Sequence, residues 1–145
     1  MSSLDELNFE SDFEAVLIHP LARRCVVERG GSLEAFVKLS SSKALEDFYQ
    51  ARLAWTGYPG QPASLKFRDP ATGRLDMATA WPNCRGFRPQ SLDACVNWCA
   101  EGFALHPEWL ADPKWRWDPT GNPLLRTIET LQFEMDEFFD GRFKP

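Results

Sequence analysis

The sequence predicts one α+β domain over residues 1–145: an N-terminal helix, a four-stranded antiparallel meander, a long irregular loop and a C-terminal helix. Three observations carry it. Apolar residues recur at steps of three and four after Ser11 and again after Asn122, the spacing of one helical face. Between them, Tyr49, Ala51, Leu53 and Trp55 alternate with Gln50, Arg52 and Ala54, a period of two that suits a half-buried strand. A chain of 145 residues, 43% hydrophobic and 26% charged, is large enough for one core and shows no bias toward disorder or a fibre.

Each element has a local cause. Ser11-Asp12-Phe13-Glu14 has the form of a capping box, with Phe13, Val16 and Leu17 on the face that follows and Pro20 as the stop. Cys25-Val26-Val27, then Gly30-Gly31, then residues 33–39 read as two strands around a tight turn. The third strand is the alternating 49–55 segment, and Leu65 and Phe67 mark a short fourth. Residues 69–121 are dense in Pro, Gly and Trp, and a loop of that length in a compact domain is usually functional. Asn122-Pro123 is a cap followed by proline at the first helical position. Leu124, Ile128, Leu131, Met135 and Phe138 then define the buried stripe, and Gly141 ends the helix.

Charge narrows the function classes. At a net −5, with only Arg23 and Arg24 as adjacent cations, the chain is not expected to bind nucleic acid. An acidic start, MSSLDELNFE, and no long apolar run predict neither secretory signal nor membrane anchor, hence a cytoplasmic protein. No cofactor is expected. Four cysteines stand at positions 25, 84, 95 and 99. In a reducing compartment they predict reactive or buried thiols rather than a disulfide framework.

The order of motifs resembles that of the ubiquitin-conjugating enzymes. Residues 48–53, then Tyr58-Pro59-Gly60-Gln61-Pro62, then Leu65-Lys66-Phe67 are similar to that family's third strand, Tyr-Pro-x-x-Pro loop and fourth strand. Trp81-Pro82-Asn83 resembles the His-Pro-Asn tripeptide, Cys95-Val96-Asn97 the Cys-Leu-Asp of the active segment, and Trp117-Asp118-Pro119 the Trp-x-Pro before the crossing helix. The likeness spans about residues 11–140. It departs at Trp81 in place of histidine, at the long stretch from Asn83 to Cys95, and at Asp12 and Glu14, where typical members present basic residues. These departures resemble compact bacterial relatives, which by family work beside an activating enzyme and a ubiquitin-like protein, in several cases in antiphage defence.

What the resemblance implies is a carrier enzyme. Cys95 would accept a ubiquitin-like protein from the activating enzyme as a thioester and pass it to an amine, with Cys99 the other candidate nucleophile. Asn83 would donate its side-chain amide to the oxyanion. His106 is a candidate base or orienting group, since imidazole titrates near neutrality. Tyr58 and Pro62 are expected to pack the loop onto the sheet, and Trp109, Trp115 and Trp117 to cover the insertion and shield the thioester. Two non-catalytic alternatives stay open. Cys84, Cys95, Cys99 and His106 form a permissible zinc set for a metal-stabilised binding module, and an inactive variant would bind a ubiquitin-like protein noncovalently.

Overall fold

A computed structural model describes residues 3–145. Helix α1 spans Leu4–Ile18, β1 Val26–Arg29, β2 Glu34–Leu39, β3 Tyr49–Ala54 and β4 Ser64–Phe67. A two-stranded ribbon follows, β5 Phe87–Arg88 with β6 Asp93–Ala94, then the short α2 Ala100–Leu105 and the long α3 Pro123–Phe138. The four main strands pair antiparallel in chain order, the meander expected from the sequence. No helix among the described residues is long and apolar enough to cross a membrane.

The two-residue period explains the sheet. Ala35, Val37 and Leu39 on β2, Tyr49, Ala51 and Leu53 on β3, and Leu65 and Phe67 on β4 are buried in one cluster with Phe9, Leu124, Ile128, Leu131 and Met135 from the helices. The opposite face is polar, with Arg52 paired to Glu34 at 2.9 Å and Arg68 lying 4.0 Å over the Phe36 ring. Leu131 has no exposed surface. Leu131→Ala is therefore expected to lower unfolding free energy by about 2–5 kcal/mol in denaturant titration. A loss under about 1 kcal/mol would mean that α3 buries another face.

Two local expectations are corrected. Helix α1 begins seven residues before the Ser11 box: Ser3 is its N-cap, accepting from the Glu6 amide at 3.2 Å. Phe9 extends the buried face of Phe13 and Val16 backward, so nothing interrupts the helix before Pro20, and Ser11 is an exposed mid-helix residue. Leu17 and Phe138 lie at the edges of their stripes and are exposed, Phe138 with the Arg85 guanidinium 3.7 Å over its ring. The cap at Asn122 is as expected, accepting from the Leu125 amide at 2.9 Å.

Tyr58 knots three elements together. Its buried hydroxyl donates to Asp12 and accepts from the Leu124 amide at 3.1 Å. The Asp5 carboxylate accepts from the Tyr58 amide at 3.1 Å, and Asn122 donates to the Asp12 carbonyl at 3.1 Å. Asp5 and Asp12 thus serve the fold from the inner side of α1.

Candidate active site

The segment that carries two cysteines is clamped at both ends. At its start the Cys95 amide donates to the Gly86 carbonyl at 2.8 Å. Gly86 has φ +81°, and a β-carbon there would sit 2.9 Å from Val96 Cγ1, so both conformation and closeness require glycine. At its end, Ala100 donates to the Ala63 carbonyl at 2.7 Å. The Glu101 carboxylate accepts from the Ser64 hydroxyl at 2.5 Å and from the Leu65 amide at 3.1 Å. Gly102 presses on the Val96 backbone, where a β-carbon would fall 1.9 Å from the carbonyl oxygen. The turn is an irregular loop fastened to the end of a rigid sheet.

Beside it lies a cleft of about 480 Å³ whose lining includes Cys95, Trp98, Trp109, Trp115, Arg85 and Glu134. Cys95 is partly exposed there. The other three thiols differ. Cys99 has no exposed surface, and burial, with a smaller contribution from Glu101, holds it protonated well above the ordinary thiol range. Burial pushes Cys84 up to about 11, and its sulfur donates to the Glu134 carbonyl at 3.2 Å. Burial likewise pushes Cys25 up to about 11, partly offset by Arg24. Access and charge state together decide thiol reactivity, and only Cys95 of the four lines the cleft.

These raised thiols make a stability prediction. A group whose folded pKa lies above its unfolded value favours the fold while it stays protonated in both states, and that advantage is lost as pH rises. For Cys25 and Cys84 the window runs from the ordinary 9.0 to about 11. Melting temperature is expected to fall steadily across it in calorimetry. A flat profile there would mean that the thiols are solvated.

The remaining expected site residues are placed apart. Trp81 is fully buried, edge-on to Phe67 at 4.9 Å and to Phe87 at 6.0 Å. It belongs to the core, whatever an imidazole would do there. Asn83 exchanges backbone hydrogen bonds with the segment after α3, donating to Gly141 at 2.8 Å and accepting from Asp140 at 2.9 Å. Its side-chain amide reaches the Asp140 carbonyl at 3.4 Å, and Asn83 is not among the residues lining the thiol cleft. His106 bonds Glu108 at 3.0 Å and stacks on Trp109 at 4.3 Å, and Trp109 stacks on Trp115 at 5.2 Å. The imidazole therefore props the aromatic wall and is not itself part of the cleft lining. Trp117 donates to the Pro59 carbonyl at 2.9 Å, tying the insertion to the Tyr58 loop.

No group of three or more His, Cys, Asp or Glu side chains among the described residues is arranged to hold a metal ion. The set Cys84, Cys95, Cys99 and His106 is not assembled. Sequence reasoning missed Arg85 and Glu134, which pair at 2.8 Å in the cleft wall. Glu134 could have been noticed: it lies three residues after Leu131 and beside Met135, a carboxylate on an apolar stripe. Comparison with models of protein families, with curated proteins and with solved structures finds no significant match for the chain.

Proposed function

We propose that this protein is a cysteine-dependent acyl carrier of the ubiquitin-conjugating-enzyme type, with that family's fold and with Cys95 as nucleophile. One observation carries the reading: Cys95 is the thiol set in an open cleft on a fastened loop, while Cys25, Cys84 and Cys99 are buried or held protonated. In the loading step the Cys95 thiolate attacks the thioester carbonyl carbon held by an activating enzyme. A new C–S bond forms, the old one breaks, and the departing thiolate takes up the proton that Cys95 released. The carried group would be a ubiquitin-like protein, and the final acceptor an amine. By resemblance the setting is a bacterial conjugation pathway in the cytoplasm, where thiols stay reduced, with antiphage defence as its purpose.

A second reading has its own support. Asn83, which the resemblance makes the oxyanion donor, faces the Asp140 segment. A chain lacking that donor would suit a non-catalytic binder of a ubiquitin-like protein. Within the carrier reading, Arg85 and Asn97, which line the cleft with Cys95, are the candidate donors for an oxyanion there. The deciding experiment mixes the protein with activating enzyme, ATP and ubiquitin-like partner. An adduct removed by reductant and dependent on Cys95 supports the carrier. Tight binding with no adduct overturns it in favour of the binder.

A further inference from the structure

Resting on that carrier reading, we infer that Glu134 is the acceptor residue of the thiol cleft: its free carboxylate oxygen receives a primary ammonium, such as a lysine side chain, and takes a proton from it. Glu134 is 7% exposed and lines the same cleft as Cys95. One of its oxygens accepts from Arg85 at 2.8 Å, while Oε2 is buried with no hydrogen-bond partner. A buried, unmatched carboxylate oxygen is costly, and native proteins rarely keep one without a use.

The surroundings select a cation with a linear stem. Trp98, Trp109 and Trp115 form an indole wall in the cleft, with Trp115 39% exposed. Such faces attract ammonium groups and cover methylenes alike. The volume of about 480 Å³ is enough to seat one extended side chain. The charged and titratable groups around Glu134 are Arg85 and Cys84 on the loop before β5, Lys43, which acts on Cys84 from the β2–β3 connection, and Cys95 in the cleft. The Arg85 side chain is 61% exposed, with its guanidinium over the Phe138 ring. Arg85 thus occupies Oε1 and leaves Oε2 as the oxygen without a partner.

The chemistry balances with these groups alone. Glu134 removes one proton from R–NH3⁺, leaving R–NH2 and a neutral carboxylic acid. The amine nitrogen attacks the thioester carbonyl carbon, forming the C–N bond, and collapse of the intermediate breaks the C–S bond. Cys95 leaves as thiolate and takes the second proton from nitrogen, so the products are an amide, a thiol and protonated Glu134. Solvent then receives the proton held by Glu134.

The test loads Cys95 directly by exchange with a small peptide thioester of 2-mercaptoethanesulfonate, so no activating enzyme is required. Single-turnover discharge is then followed with lysine and with hydroxylamine, a nucleophile that needs no base. Glu134→Gln is expected to load normally, to discharge to hydroxylamine at the parent rate, and to discharge to lysine roughly 10²-fold more slowly near neutral pH. The deficit should shrink as pH approaches the amine's own pKa, about 10.4. Trp115→Ala should raise the lysine concentration needed for half-maximal rate several-fold, and this variant decides the matter if Glu134→Gln does not fold. Parent-like lysine kinetics in folded Glu134→Gln, or in Trp115→Ala where the former does not fold, or equal losses with lysine and hydroxylamine, would overturn the assignment. Failure of Cys95 to load at all overturns the carrier reading instead.

Discussion

Cys95→Ala is expected to abolish the reductant-sensitive adduct, a loss of at least roughly 10³-fold in carrier activity, because no other thiol can take its place. Cys99 lies only four residues away yet has no exposed surface and is held protonated by burial. Cys99→Ala should therefore leave loading nearly intact at a modest cost in stability. Cys95→Ser should give either no adduct or an oxyester that survives reductant, since a hydroxyl is a far poorer nucleophile than a thiolate at neutral pH. Mass spectrometry after brief alkylation of the folded protein provides a check free of any partner: the first modification should map to residue 95. Fast labelling at residue 99, or an adduct blocked by Cys99→Ala alone, would shift the nucleophile by one turn and sink this placement.

Gly102→Ala is the second large expected effect, and it acts through packing alone. Alanine normally favours a helix over glycine by about 1 kcal/mol. Here the added β-carbon would meet the Val96 carbonyl oxygen at 1.9 Å and the Val96 carbon and nitrogen at 2.7 Å. Those are backbone atoms that cannot rotate away, so α2 must move off the cysteine segment. Overpacking of this kind costs about 1–3 kcal/mol or more, which outweighs the helical gain. The expected result is a lower melting temperature together with labelling that spreads from Cys95 to Cys99 as the clamp loosens. A variant as stable and as selective as the parent would show that α2 and residue 96 are not in contact.

The regular parts of this fold are written locally, and the site is not. Alternation at 49–55 and the step pattern of Leu124, Ile128, Leu131 and Met135 led to the observed β3 and α3, because each depends on neighbours within a few residues. The start of α1 lies at Ser3 rather than at the Ser11 box because two serines can each cap a helix, and burial of Phe9 decides between them. Burial also separates Cys95 from Cys99, and it depends on Ala63, Gly86 and Gly102, contacts that no spacing rule reveals. The Arg85–Glu134 pair lies 49 positions apart in the chain. Only the apolar company of Glu134 hinted at it. Trp81 reads as a motif residue in sequence and as core in space, since an indole at that point fills the volume between Phe67 and Phe87.

The Tyr58 hydroxyl has a mechanical consequence. It joins Asp12 of the first helix to the first turn of α3, and Asn122 adds a bond across 110 positions of sequence. Opening either helix alone would strand a buried donor or acceptor on the other, a loss of about 1–3 kcal/mol for each group. The two ends of the chain therefore open as one cooperative unit. Any molecule that grips the outer side of the first helix is coupled, through the Tyr58 phenol and the Asn122 amide, to the base of the helix that bears Glu134.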